Sequence, residues 1–212
     1  NVSDGDKATI KAQYEKDWNE WPAHLGAPYT DVNDDGQYTP GDDIPGVPGA
    51  SQTMWISYDD TDSQSFMKSD PIGMKVQETI WAYAIDNPLG DVIFKRVRMN
   101  YEGTSTTPTD AYIDSMYIAQ FSDVDVGTYS NDFAGCDTLK MMGYAYNAEV
   151  SDPAYNSVGL APTALGYDFL QGAAYETGDM SDSAVIDFKY RKGWKYFQDK
   201  AMSSFIFFAA GG

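Results

Sequence analysis

The chain has one cysteine, Cys136, and one histidine, His24. A single thiol closes no internal disulfide and supplies no cysteine-ligated zinc or iron–sulfur site. A single imidazole excludes a multi-histidine metal centre. A Ser-His-acid hydrolase would have to use His24 as its base, and no supporting pattern surrounds it. Positive charge is scarce as well. Against 32 Asp plus Glu stand 14 Lys plus Arg, a formal net charge of −18. Such a chain repels phosphate backbones and anionic membrane surfaces, so no nucleic-acid partner is expected. No apolar run reaches the length of about 18 residues that suggests a membrane-spanning helix. Glutamate is the rare acid, 6 residues against 26 Asp. Aspartate favours turns, caps and hard-cation sites over helix interiors. Carboxylate chemistry, calcium binding or no chemistry at all remain open.

The 212 residues, 42% hydrophobic and 15% aromatic, suffice to bury a core. Residues 7–21 carry Ile10, Tyr14, Trp18 and Trp21 at helical spacing, with Asp4 or Asp6 as cap and Pro22 as stop. This helix is expected to pack on the sheet that follows. Residues 22–53 hold Pro22, Pro28, Pro40, Pro45 and Pro48, which break regular structure. From Met54 the period becomes two. Strands are expected around 54–58, 74–84, 93–101, 113–121 and 138–146, with weaker ones at 185–190 and 204–208. Asn87-Pro88-Leu89-Gly90-Asp91 reads as a hairpin connection. The expected fold is therefore mainly β: an elaborated antiparallel β-sandwich with one N-terminal helix and long calcium-stabilised loops. Its divisions are a helix and calcium-loop region, 1–53, and the sandwich, 54–212. The opening on Asn1 and the apolar run Ser204 to Ala210 near the end read as part of a longer polypeptide.

The sharpest local pattern runs from Asp31 to Asp42. With Asp31 at position 1, Asn33 is 3, Asp35 is 5, Gly36 is 6, Gln37 is 7 and Asp42 is 12. Calcium takes six to eight hard oxygens, and alternate side chains on a curling backbone converge on one point. Gly36 permits the sharp turn, and Gln37 offers its carbonyl. Position 12 departs from the EF-hand rule, with Asp in place of a bidentate Glu, and Pro45 and Pro48 replace a following helix. The expected ligands are Asp31, Asn33, Asp35, Gln37 and Asp42, in an isolated loop of the extracellular kind. The alternative is an acidic turn whose side chains cap local backbone groups.

A second possible metal site gathers Asp123, Asp125, Asp132 and Asp137, with Asn131 nearby and Asp168 as a possible addition. Glycosidase chemistry needs only two carboxylates. Glu78, on an otherwise apolar strand face, is the candidate acid, but its pairing with Lys95 is the preferred reading and no second carboxylate stands out. No catalysis is expected. Trp55, Trp81 and Tyr83, with Tyr144 and Tyr146, offer a possible sugar-stacking surface, although aromatics on a half-buried sheet are more often structural. Cys136 is expected to be buried and unpaired.

Several segments in order resemble large secreted proteins of Bacteroidetes-related bacteria, many of which end in a type IX secretion sorting domain. They are Trp21-Pro22, Gly26-Ala27-Pro28, Asp31 to Gly36, Asp42 with Ile44-Pro45-Gly46, Pro48-Gly49-Ala50 and Gln52 to Trp55. Trp81-Ala82-Tyr83, Asn87 to Asp91, Asp114 to Tyr117, Asp132-Phe133, Gly135-Cys136-Asp137 and Gly166 to Phe169 follow. The likeness covers most of residues 18–172 and carries no catalytic residues. It implies an extracellular or cell-surface location and calcium as the ion. The function expected is an extracellular, calcium-stabilised structural or adhesive surface module. Its partners would be the rest of a longer polypeptide and other surface-protein chains or polysaccharide. The alternative is a carbohydrate-binding or glycoside-active module.

Overall fold

A computed structural model describes residues 3–187, 189–198 and 200–208. The protein is mostly β, its sheets are antiparallel, and one long helix stands at the N-terminus. The chain divides into two compact units, Asn1–Tyr117 and Ile118–Gly212. The expected boundary at 53/54 thus falls inside the first unit.

In the first unit, α1 (Asp4–Asn19) is capped by Ser3, whose hydroxyl accepts the Asp6 N–H at 3.2 Å. Asp4 and Asp6 instead sit in the first turn, where their charge suits the positive helix end. The helix ends at Asn19, two residues short of Trp21. It buries none of its residues, contrary to the expected packing on the sheet, and Ile10, Tyr14 and Trp18 are exposed. The apolar stripe is one residue wide, and the flanking Lys11, Glu15, Lys16 and Glu20 favour water, pairing with each other at 3.6 and 3.8 Å.

The strands β1 (Tyr29–Thr30) and β2 (Ile44–Pro45) form a short ladder. A meander follows, made of β3 (Gln52–Asp59), β4 (Met74–Ala82) and β5 (Ile93–Tyr101), in that spatial order. The β3–β4 connection includes a one-turn helix, α2 (Ser63–Phe66). It is gathered by the Asp60 carboxylate, which accepts the N–H groups of Ile72, Gly73 and Met74. Between β4 and β5 the Asn87 side chain accepts the Leu89 N–H at 2.9 Å, as the turn pattern predicts.

Register puts Met54, Ile56, Tyr58, Val76, Ile80, Val97 and Met99 on one sheet face with Glu78 and Lys95. That face is not the sealed one: Met54, Ile56, Tyr58, Ile93 and Val97 are exposed. The buried residues lie opposite, where Thr79 and Trp81 sit and where the 22–30 segment packs. Ala27 is buried there, and the Gln77 amide donates to the Leu25 carbonyl at 2.7 Å. Trp81 stacks on Phe94, ring centroids 5.3 Å apart.

In the second unit, β6 (Asp132–Asp137), β7 (Met142–Asn147) and β8 (Ala164–Asp168) form another meander. The expected strand at 138–146 is interrupted by the β6–β7 turn, where Asp137 accepts the N–H groups of Leu139 and Lys140. The residues Pro153–Asn156 form a one-turn helix, α3. Two hairpin-sized ladders complete the unit. In one, β9 (Ala174–Glu176) pairs with β12 (Trp194–Tyr196). In the other, β10 (Ser183–Ile186) pairs with β11 (Lys189–Lys192), with Phe188 outside the described residues.

Two expected strands are absent among the described residues. Residues 113–121 find no ladder partner; Ser115 has φ 54° and Tyr117 is exposed. Residues 204–208 are likewise irregular and exposed from Ile206 to Phe208, while Ala209 and Ala210 lie outside the described residues. Alternation alone makes no strand without a neighbour to complete its hydrogen bonds. Cys136 is unpaired but half-buried rather than buried, opposite Gly143 in the β6–β7 register.

Candidate functional site

The Asp31 loop connects β1 to β2, so its two ends are tied by the Tyr29–Pro45 and Thr30–Ile44 pairs. Inside it, Asp31 accepts the Asp35 N–H at 3.2 Å through Oδ1 and the Gly36 N–H at 2.7 Å through Oδ2. Asn33 Oδ1 accepts the Asp35 N–H at 3.1 Å, and Asp35 Oδ1 accepts the Gln37 N–H at 2.8 Å. The Asn33 amide donates to Asp35 Oδ2 at 3.0 Å. Gly36 has φ 77°, the left-handed conformation the turn at position 6 requires. The structure thus brings Asp31, Asn33 and Asp35 together around the curled backbone. Gln37 and Asp42 are exposed and make no side-chain hydrogen bond among the described residues.

The acid that turns inward is Asp43, which the sequence reading passed over. Only 1% exposed, it accepts the Val32 N–H at 2.9 Å through Oδ1 and the Thr39 N–H at 2.7 Å through Oδ2. Its carboxylate is the clasp across the loop. The signal in the sequence was its place directly before β2, but Asp42-Asp43 gives two equivalent choices. The Tyr29 hydroxyl is held above its ordinary pKa by burial and then by the Asp31, Asp43 and Asp35 charges. Tyr38 packs edge-on against Tyr29 at 5.5 Å and donates its hydroxyl to the Trp18 carbonyl at 2.5 Å, fastening the loop to α1.

The second acidic set is dispersed. Asp123 and Asp125 are exposed and make no side-chain hydrogen bond among the described residues. Asp132 and Asp137 stand at opposite ends of β6, about 17 Å apart at roughly 3.4 Å per residue. Asp168 lies in the register row of Asp137, with Met142 between them. Asp132 accepts the Val126 N–H at 2.7 Å, and the Val126 carbonyl accepts the Asn147 amide, which also donates to Asn131 and Asp152. Asp152 is fully buried. It accepts the Ala154 N–H at 2.8 Å through Oδ1, and through Oδ2 the Thr128 N–H at 2.9 Å and the Asn147 amide at 3.2 Å. The Thr128 side chain holds its carboxyl below the usual range, against the opposing effect of burial, and the Thr128 and Ala154 N–H groups and the Asn147 amide add to the lowering. Asn147 and Asp152 were not singled out from the sequence, because nothing local marks a buried Asn on a strand end.

Among the described residues no group of three or more His, Cys, Asp or Glu side chains is gathered in metal-binding geometry. Calcium also accepts asparagine, glutamine and backbone oxygens.

Of the expected stacking residues, Trp81 is 6% exposed and stacked on Phe94, so it presents no free face. Tyr83 packs edge-on against the same Phe94 at 6.0 Å. Trp55 is half-buried beside Gly26, Gln77 and Thr79. Tyr144 and Tyr146 lie side by side on β7 at 6.2 Å. Glu78 makes the preferred pair with Lys95 at 3.0 Å and accepts the Tyr58 hydroxyl at 2.8 Å. No family model, curated protein or solved structure matches the chain. No helix among the described residues is long and apolar enough to cross a membrane.

Proposed function

We propose that this chain is an extracellular structural or adhesive surface module whose Asp31–Asp42 loop is ordered by calcium and which performs no catalysis. The observation that carries the reading is the curl of Asp31, Asn33 and Asp35 around Gly36, closed beneath by Asp43. With calcium the Asp31, Asn33 and Asp35 side chains supply oxygens to the ion, with the Gln37 carbonyl and Asp42 completing the set. Loops of modest charge and rigidity bind weakly, at roughly 0.1–1 mM in extracellular modules, which suits a compartment rich in calcium. The resemblance to secreted Bacteroidetes-related proteins supports the same location and a longer polypeptide. An apolar β3–β4–β5 face calls for an opposing layer, the arrangement that a β-sandwich supplies. The sugar-binding alternative is weakened because Trp81 and Tyr83 spend their ring faces and edges on Phe94. Calorimetric titration of the metal-free chain with calcium chloride tests the proposal. Binding that is lost in an Asp31→Asn, Asp35→Asn double variant supports it, and heat of dilution alone rejects it.

A further inference from the structure

We infer that copies of this chain join head to tail, the unpaired segment 116–124 of one copy adding an antiparallel strand to the outer edge of β5 in the next. The inference does not depend on the Asp31 loop.

The edge comes first. In the meander, Asp60 N–H bonds the Met74 carbonyl at 3.2 Å and Glu102 N–H bonds the Gly73 carbonyl at 2.9 Å. In an antiparallel ladder the bonded pairs alternate along the strand. With the registers of the two ladders, even residues of β4 therefore bond β3, and odd ones bond the even residues of β5. Ile93, Lys95, Val97, Met99 and Tyr101 are left to turn their N–H and C=O groups outward. Among the described residues no ladder or backbone hydrogen bond receives them. The strand runs Ile93–Tyr101 in unbroken register with no proline, and Ile93 and Val97 are exposed. A long, regular edge of this kind is a template for another strand.

The same chain holds a segment in need of such a template. No helix or strand lies between Tyr101 and Tyr129. Loops of that length without structure of their own are uncommon in compact domains unless functional or disordered. Residues 112–125 make no backbone–backbone hydrogen bond among the described residues. Yet Met116, Tyr117, Ile118 and Phe121 give the segment an apolar, aromatic composition unlike a disordered linker. Tyr117 and Phe121 are 96% and 73% exposed. In a strand they share one face, and beside β5 they would extend the exposed Met and Ile side of the meander.

Charge selects this pairing over others. β5 contains Lys95, Arg96 and Arg98 and no acid, while residues 110–125 contain Asp110, Asp114, Asp123 and Asp125 and no Lys or Arg. In a chain of net charge −18, where like copies repel, these two stretches attract. A symmetric β5–β5 contact would instead set the basic strands against each other. Donor and acceptor lie on different parts of one chain, so the contact is heterologous and leaves an unused donor and acceptor at the two ends of each pair.

Sedimentation velocity of the full chain, with chelator present so that the Asp31 loop plays no part, reads the association. Wild type is expected to grow with concentration past twice its 23.4 kDa. Val97→Pro removes an outward N–H and spares the β4 ladder, as edge prolines do. Tyr117→Pro disables the segment and lies in no ladder, so it does not endanger the fold. Each variant should stay at 23.4 kDa, and an equimolar mixture should form pairs and nothing larger, because one copy keeps the segment and the other the edge. Three results overturn the proposal. The first is wild type that stays monomeric up to about 1 mM, the weak end of the affinity scale. The second is Tyr117→Pro that assembles like wild type, the outcome of a symmetric β5–β5 contact, and it counts whether or not Val97→Pro folds. The third is a mixture of the two folded variants that stays monomeric.

Discussion

Replacing Asp43 by alanine removes the clasp beneath the Asp31 loop. The carboxylate is 1% exposed, and its two oxygens receive the N–H groups of Val32 and Thr39 at 2.9 and 2.7 Å. Hydrogen bonds to a charged group contribute about 1.5–3 kcal/mol each. Two of them set a ceiling of about 3–6 kcal/mol, and water entering the vacated space brings the expected loss to the lower end, about 3 kcal/mol. In a chain of this size that corresponds to a fall of roughly 6–12 °C in the first melting transition. Asp43→Asn keeps one acceptor but sets an NH2 against the other N–H, so it is expected to lose about half of the clasp rather than none. Urea unfolding reads the energy, and amide hydrogen exchange reads the place, because Val32 and Thr39 should lose protection first. If Asp43→Ala unfolds within about 0.5 kcal/mol of the parent, the size of an inconsequential surface change, and both amides stay protected, the clasp does not hold the loop.

Three further predictions concern the rest of the molecule. Trp81→Ala removes a buried ring stacked on Phe94 and should destabilise the first unit by about 3–5 kcal/mol in denaturant melts, whereas a merely surface-stacking Trp would cost far less. Gly127→Ala should destabilise the second unit by at least about 1 kcal/mol, because φ is 88° and the new Cβ would lie 2.7 Å from Asp152 Oδ1; a neutral result would contradict the close approach. The Tyr58 ring is exposed, but its hydroxyl is held above its ordinary pKa by desolvation, then by its bond to Glu78 and that carboxylate's charge, so the folded state keeps that proton more tightly than the unfolded one. Its contribution is therefore fully present below about pH 10 and lost as pH rises through the raised value, and Tyr58→Phe should flatten the alkaline limb of a melting-temperature profile.

Much of the strand layout was legible because it rests on local pattern. The runs at 54–58, 74–84 and 93–101 alternate cleanly and became β3, β4 and β5, with the Asn87 turn between the last two. What failed was partnership. Residues 113–121 and 204–208 alternate or run apolar as well as any strand, yet no ladder receives them among the described residues. The period-two pattern fixed which residues share a face of the first meander but not which face is sealed. Packing of the 22–30 segment decided that, by burying Thr79 and Trp81 instead of the Met and Ile side. The Asp31 loop was readable because its oxygen spacing is contiguous in sequence. Asp43, Asn147 and Asp152 were not, because their roles come from the Val32, Thr39, Val126 and Thr128 backbone groups they meet after folding.

The central claim is that calcium orders the Asp31 loop, and melting with and without the ion tests it most directly. The metal-free chain and the chain at a calcium concentration 100 times the dissociation constant should differ by about 2.7 kcal/mol for a site present only in the folded state. The gain should arise in the first unit and shrink in the Asp31→Asn, Asp35→Asn variant. Calcium is expected to raise the melting temperature, and chelation to reverse the rise. Identical melting curves at all calcium concentrations, with unchanged exchange at the Gly36 and Gln37 amides, would contradict it.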